Sequence, residues 1–283
     1  MPQLPAKLAA GLAVFVLSFL SGVAVGAQER PRRIVSLNLC TDQLLLALAD
    51  RDQIASVSFL AHDRSLSFMA DQAAQFPMNS GRGEAILFGG ADLVLAAGFG
   101  AHTKRALLER HGLEVLALDP WRSLEDGRAQ IRTLAQRVGH PERGERMIAE
   151  IDAALERAKA IAPVGRRILM LYRRAWVPGE DSLINEILRH MGFTLHQDAL
   201  GLEQGGVVRL ETIVAKPPDY ALMDEVAGRS VDNGSALLVH PALLGAIPPE
   251  RRLAIPGQLV ICGGPATAAT IDALAAEVRQ KVR

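Results

Sequence analysis

Few residues in this chain have the types and spacing that chemistry needs. Two cysteines, Cys40 and Cys262, lie far apart and match neither a zinc ribbon nor a CxxC redox motif. Three readings of them stay open. They close a single disulfide, they pack separately as small apolar groups, or they ligate a metal or metal-bearing ligand together with His62 or His102, since sulfur and imidazole suit zinc, copper and haem iron. Among the remaining histidines, His111, His140 and His190 stand at expected helix ends, where the helix dipole accounts for them. His196 and His240 read as structural or surface groups.

Two glutamates repay attention for their surroundings. Glu84 and Glu211 each precede an aspartate, Asp92 and Asp219, by eight residues, and each aspartate is followed by a strand-like run. Either glutamate at the start of a short helix is stabilised by the N-terminal dipole. The alternative is a pair of equivalent acidic knobs, one on each of two lobes, offered to a symmetric partner. Catalytic signatures are missing from the sequence: it has no GxSxG elbow, no P-loop, no GxGxxG after the first strand and no HExxH. Asp63 and Asp119 are single acids without a visible partner. An exported α/β enzyme therefore stays only as an alternative of a different class.

The elements that must position these residues follow from composition and periodicity. With 31 Lys plus Arg against 31 Asp plus Glu, no clustered positive excess exists to neutralise nucleic-acid phosphates, so no nucleic-acid partner is expected. At 49% apolar and 22% charged residues the chain is not a disordered one. Lys7, an apolar run from Leu8 to Val25 and the small residues Val25-Gly26-Ala27 read as an export signal cleaved after Ala27. An uncleaved anchor is the rival, the run being at the lower edge of what spans a bilayer. Export places the protein in an oxidising compartment, which favours a disulfide.

Beyond residue 27, short apolar runs alternate with amphipathic stretches, the pattern of an α/β chain with mostly parallel strands. Strands are expected at Arg33–Leu37, Ile54–Val57, Leu93–Ala96 and Val115–Leu118, four in all, with Thr41-Asp42 capping the first helix. From Leu124 to Ile161 there is only helical periodicity, broken at Gly139-His140-Pro141. Met147, Ile148, Ile151, Ala154, Leu155 and Ala158 mark one apolar stripe on a helix long enough to bridge two lobes. Strands resume at Arg167–Leu171, Phe193–Leu195, Tyr220–Met223 and Leu259–Ile261, ahead of a last helix from Ala266. The expected organisation is a signal at 1–27, an N-terminal α/β lobe at 28–122, a helical connector at 123–162 and a C-terminal α/β lobe at 163–283.

The run Arg33-Ile-Val-Ser-Leu-Asn-Leu-Cys-Thr-Asp-Gln-Leu, the two Glu-containing helices ahead of "AD-LVLA" and "PD-YALM", the connecting helix and Gly263-Gly264-Pro265 resemble the periplasmic binding proteins of vitamin B12 and ferric-siderophore importers. The resemblance runs from Arg33 to the C-terminus. It implies two Rossmann-like lobes joined by one stiff helix, the class III architecture, and a monomeric receptor without resident cofactor or metal. The implied cargo is a metal chelate such as cobalamin, a ferric siderophore or haem. The implied partner is a dimeric ABC permease of the inner membrane, met by Glu84 and Glu211. By the same resemblance the ligand cleft takes Asn38, Cys40, Phe59, His62, Arg82 and the loop Gly98 to His102 from the first lobe, and Tyr172, Arg173, Arg174, Trp176 and Cys262 from the second. The aromatic groups would stack on a flat ligand and the arginines pair with its acidic groups. Cobalamin binders of this family tend to line the cleft with several aromatics, whereas this chain has two Trp and two Tyr, and Trp121 falls outside the expected cleft loops. A zinc- or manganese-type receptor, with three His and an acid on successive loops, is the alternative cargo reading.

Overall fold

A computed structural model describes residues 29–97, 102–224 and 234–282. The first lobe alternates strand and helix: β1 (Ile34–Ser36), α1 (Leu39–Leu48), β2 (Ile54–Ser58), α2 (Ala70–Ala73), β3 (Met78–Asn79), α3 (Gly83–Phe88), β4 (Leu93–Ala97), α4 (His102–Arg110) and β5 (Glu114–Leu118). Its sheet is parallel throughout, in the order β3-β2-β1-β4-β5. Two helices follow, α5 (Leu124–Val138) and α6 (Pro141–Ala158). The second lobe holds β6 (Arg167–Met170), β7 (Trp176–Val177), α7 (Leu183–His190), β8 (Thr194–Leu195), β9 (Gly206–Val207), α8 (Leu210–Ala215), β10 (Tyr220–Asp224), α9 (Pro241–Ala246), β11 (Arg252–Ile255) and α10 (Thr267–Lys281). Its parallel sheet runs β11-β10-β6-β8, and β7 and β9 form a separate antiparallel ribbon.

Period-two alternation divides each sheet between two cores. In the first lobe Ile34, Leu93 and Leu95 face a large inner cluster, while Val35 and Val94 face an outer one with Ile86 of α3. In the second lobe Ile168, Met170 and Leu222 face the same inner cluster, while Leu169, Ala221 and Met223 face an outer one with Ile213 of α8. The inner cluster is continuous between lobes because α5 and α6 supply its middle: Ile131, Leu134, Met147, Ile148, Ile151, Ala154, Leu155 and Ala158 are all buried in it. The stripe read from the sequence on α6 is thus the shared core. Pro141 occupies the first turn of α6, and His140 and Arg143 tie that end to Asp50 at 2.7 and 2.6 Å. His140 thus stands between the end of α5 and the start of α6, as its helix-end reading expects, and also meets the Asp50 carboxylate.

Several expectations need correction. The first lobe has five strands, not four, because Met78-Asn79 becomes a strand only by pairing with Val57 and Ser58. Two residues are too few to show alternation. Leu259–Ile261 is not a strand: a single 3-10 turn covers Gly257–Leu259, and the edge strand is Arg252–Ile255, ended by Pro256. Its charged first residue hid it, since Arg252 donates to the carbonyls of Ile247 and Leu243 at the end of α9. The cap of α1 is Asn38, not Thr41-Asp42. Thr41 Oγ1 instead meets Ser36 Oγ at 2.7 Å, and Asp42 accepts from the backbone and hydroxyl of Ser58. Burial pushes the Asp42 carboxyl up, against the hydrogen bonds from Ser36 and Ser58 that lower it.

Trp121, placed in the sequence reading outside the ligand walls, is buried after β5 between Gly127 of α5 and Gly263 of the second lobe, with no room for a Cβ at either glycine. Gly127→Ala should therefore destabilise the protein by about 1–3 kcal/mol through overpacking, although alanine is the better helix former. Denaturant unfolding of the variant checks this; a gain in stability would contradict the packing.

Candidate functional site

Parallel sheets bind ligands beyond the carboxyl ends of their strands, where neighbouring connections diverge. In the first lobe that point lies between β1 and β4, and in the second beside β6. A cavity of about 180 Å³ lies between these two points. The first lobe contributes Asn38, Cys40, Thr41 and Leu44 after β1, Ala97 at the end of β4, and Leu118 to Trp121 at the end of β5. The second lobe contributes Tyr172 and Pro178 after β6, Ser182, Ile184 and Ile187 at α7, and the segment Leu259 to Gly263. Gln130 of α5 closes one side. Asp119, Pro120 and Ile261 are exposed, so the cavity opens to solvent there.

Cys40 and Cys262 form a disulfide across this cavity, with S–S 2.06 Å and Cα–Cα 5.2 Å. Of the three chemistries open in the sequence, this leaves no thiolate for metal ligation. Among the described residues no group of three or more His, Cys, Asp or Glu is placed to hold a metal ion. The bond joins the first turn of α1 to the loop ahead of α10, one lobe to the other.

Asn38 is fixed by two roles. Its Oδ1 accepts from the backbone N–H of Cys40 (3.0 Å) and Thr41 (3.2 Å), capping α1, and its buried Nδ2 has no partner among the described residues. Two other lining residues also keep a buried polar atom without a partner among the described residues: Gln130, whose Nε2 donates to the Asp119 carbonyl, retains Oε1, and Ser182 retains Oγ. Ser182 precedes α7 and reads as its cap, yet makes no capping bond. The phenol of Tyr172 is pushed up to about 12, first by burial and then by the Asp224 carboxylate. The chain after it turns through Arg174 and Ala175, both at φ 57°, so that Tyr172 N–H donates to the carbonyl of Trp176. Left-handed backbone at two successive non-glycine residues is strained and marks a constrained loop.

The structure thus brings four expected site residues, Asn38, Cys40, Tyr172 and Cys262, to one cavity. The others stand outside its lining. Phe59 is 65% exposed after β2, and Trp176 is 47% exposed on β7, directly opposite Val207 of β9. Arg82, Arg173 and Arg174 are exposed. His62 is half-buried beside Asp42, with its Nε2 unpartnered, and the loop Gly98 to Ala101 and the His102 side chain lie outside the described residues. Sequence reasoning missed Trp121, Gln130, Ser182, Ile184 and Ile187, which read as helix faces and a cap.

The echo around the two glutamates is a repeat in three dimensions. Glu84 and Glu211 are exposed in the first turns of two six-residue helices, α3 and α8, each followed two residues later by a buried isoleucine. Asp92 accepts from the backbone of Arg32 and Arg33 at the start of β1, and Asp219 from that of Arg167 at the start of β6. The repeated aspartate therefore holds adjacent strand starts together, and the glutamate faces solvent.

Residues 34–243 match the family described as periplasmic binding protein. The chain belongs to that family. It is a family of binding proteins, and its name carries the periplasmic location. No curated protein matches the chain significantly. Solved structures do: the periplasmic heme-binding protein RhuT from Roseiflexus sp. RS-1 in apo form has 23% identity and a TM-score of 0.70 over 87% of this chain and 99% of its own. The periplasmic heme-binding protein HutB of Vibrio cholerae has 18% identity and a TM-score of 0.69 over 86% and 97%. The periplasmic vitamin B12 binding protein BtuF of Vibrio cholerae has 17% and 0.67 over 88% and 97%. At these identities the likeness establishes the two-lobed α/β fold.

Two measurements check the site. Replacing both cysteines with alanine should cost about 2–5 kcal/mol of stability, because the bond closes a long loop in the unfolded chain; equal unfolding midpoints with and without reductant would contradict a formed bridge. Tyr172 should titrate near 12 in ultraviolet phenolate absorbance, a step absent in Tyr172→Phe. Its folded value lies above the ordinary 10, so its stabilising share is complete below pH 10 and is lost as pH rises through about 12.

Proposed function

We propose that this periplasmic binding protein is the receptor of an ABC importer that captures a metal-chelate nutrient, cobalamin, a ferric siderophore or haem, between its lobes and delivers it to a dimeric permease in the inner membrane. The observation that carries this is the cavity walled by both lobes at the carboxyl ends of both sheets and crossed by a covalent bond between them. Phe59 and the Trp176–Val207 pair add apolar surface on either lobe. In this reading residues 1–27 are the cleaved export signal, 28–122 and 163–283 are the lobes, 123–162 is the connector, and the receptor acts as a monomer.

Delivery requires a surface that the permease recognises whatever the cleft holds. Glu84 and Glu211 suit that role, because they sit at matching places of the repeat, face solvent and lie outside the cavity lining. Exposed carboxylates of this kind steer and orient a partner bearing basic groups. The proposal predicts saturable 1:1 binding of one of the three chelate classes by calorimetry. Glu84→Lys combined with Glu211→Lys should abolish uptake through the reconstituted permease and leave chelate affinity within about twofold. Uptake that survives both reversals would remove the docking assignment.

A further inference from the structure

The Cys40–Cys262 bond stands away from the core that joins the lobes. That core is the apolar cluster running through α5 and α6, whereas the bond crosses at the cavity, whose wall both cysteines help to form. Cys262 belongs to a short flap, residues 260–263, with no helix or strand between the 3-10 turn Gly257–Leu259 and α10. Both ends of the flap are pinned to α10: Thr270 Oγ1 donates to the Leu259 carbonyl at 2.6 Å, and Gly264 N–H donates to Thr267 Oγ1 at 2.9 Å. Between these pins the flap is held to the first lobe by the disulfide and by the Trp121 ring packed on Gly263.

The bond is also placed for thiol exchange. Cys40 is half-buried, and its Sγ lies 4.0 Å from the carbonyl of Ile261, which is 44% exposed where the cavity opens. Cys262 is 5% exposed, so an incoming thiolate meets Cys40 first. Cys40 stands in the first turn of the ten-residue helix α1, whose positive end favours a thiolate there. One thiolate of an external dithiol bonds to Cys40 Sγ, and the S–S bond breaks with its electron pair going to Cys262, which takes up a proton. The second thiol of the dithiol then attacks its own partner sulfur in the mixed disulfide, and Cys40 leaves as a thiolate at the helix end. Two electrons have passed to the cysteine pair, the dithiol is oxidised to its own disulfide, and of its two protons one is on Cys262 and one in solvent.

We propose that the Cys40–Cys262 bond is a reversible redox latch on the interlobe cavity. Oxidised, it holds the flap 260–263 against α1 and keeps that side of the cavity closed; reduced by a dithiol partner, it frees the flap and lets the captured ligand leave. The proposal rests on the receptor reading above for what the cavity holds, and adds how release is regulated. The lobes stay joined through α5 and α6, so reduction opens a flap and leaves the fold intact.

The purified protein is treated with dithiothreitol without denaturant, its thiols are alkylated and counted by mass, and backbone hydrogen exchange over seconds is compared between the oxidised and reduced forms. Both thiols should appear while the protein still melts cooperatively, and oxidised glutathione should restore the bond. Amides of residues 260–263 should exchange at least tenfold faster after reduction, while β1, β4, β6 and β10 stay protected in both forms. A bond that yields thiols only after denaturation, or a flap whose exchange is unchanged by reduction, would overturn the latch. Cys40→Ser combined with Cys262→Ser should exchange at the reduced rate; if that variant does not fold, reduction of the native chain decides. Dissociation of cyanocobalamin, haem and ferric trihydroxamate and tricatecholate siderophores is then followed in both forms. Any of these that binds should leave the reduced form at least tenfold faster, and equal rates would overturn the control of release. Binding of none of them in either form would overturn the receptor reading, with the latch still decided by alkylation and exchange.

Discussion

The rest of the molecule depends on one buried apolar cluster that runs without a break from β1 and β4, through α5 and α6, to β6 and β10. Each lobe presents one face of its sheet to this cluster and covers the other face with its own helices. A lobe that swung away would expose residues such as Ile131, Ile148, Ile168 and Leu222, at roughly 25 cal/mol for each Å² of apolar surface uncovered. That cost, and not the stiffness of a helix as such, is the physical reason to expect little opening. The Cys40–Cys262 bond adds a second covalent tie at a different place from the α5–α6 crossing. Two separated ties remove the twisting that one would leave free.

The same arrangement explains where polar groups stand. Asn38 is at once the cap of α1, the neighbour of the bridging cysteine and part of the cavity wall, so the position of its side chain is fixed by backbone geometry on both sides. Trp121 fills the space between α5 and the second lobe against two glycines that accept its ring. The wall is preorganised, so a ligand meets groups whose ordering has been completed by folding. Arg82, Arg173, Arg174, Glu84 and Glu211 lie on the outside, where their hydration is retained and where a protein partner can reach them.

The internal repeat has a division of labour within a few residues. In each copy an isoleucine anchors a six-residue helix to the outer face of its sheet, an aspartate ties two strand starts, and a glutamate is left exposed. The aspartate and isoleucine are accounted for by the fold. The glutamate is not: neither Glu84 nor Glu211 has an ion-pair partner among the described residues.

Much of this was legible in the sequence because it depends on local periodicity. The parallel α/β class, the bare helical stretch from Leu124, the buried stripe on α6 and the repeated Glu-to-Asp spacing all follow from patterns of residue type along the chain. Elements defined by their partners were not legible. Met78-Asn79 and Trp176-Val177 are strands only because other strands bond to them, and Arg252–Ile255 carries a charge that its neighbours satisfy. Tertiary structure alone joined Cys40 to Cys262, carried Trp121 into the wall and left Asn38, Gln130 and Ser182 each with a buried polar atom unpartnered among the described residues. A residue's type fixes what it can donate, accept or bury, but which of those capacities stays unused depends on atoms that arrive from distant parts of the chain.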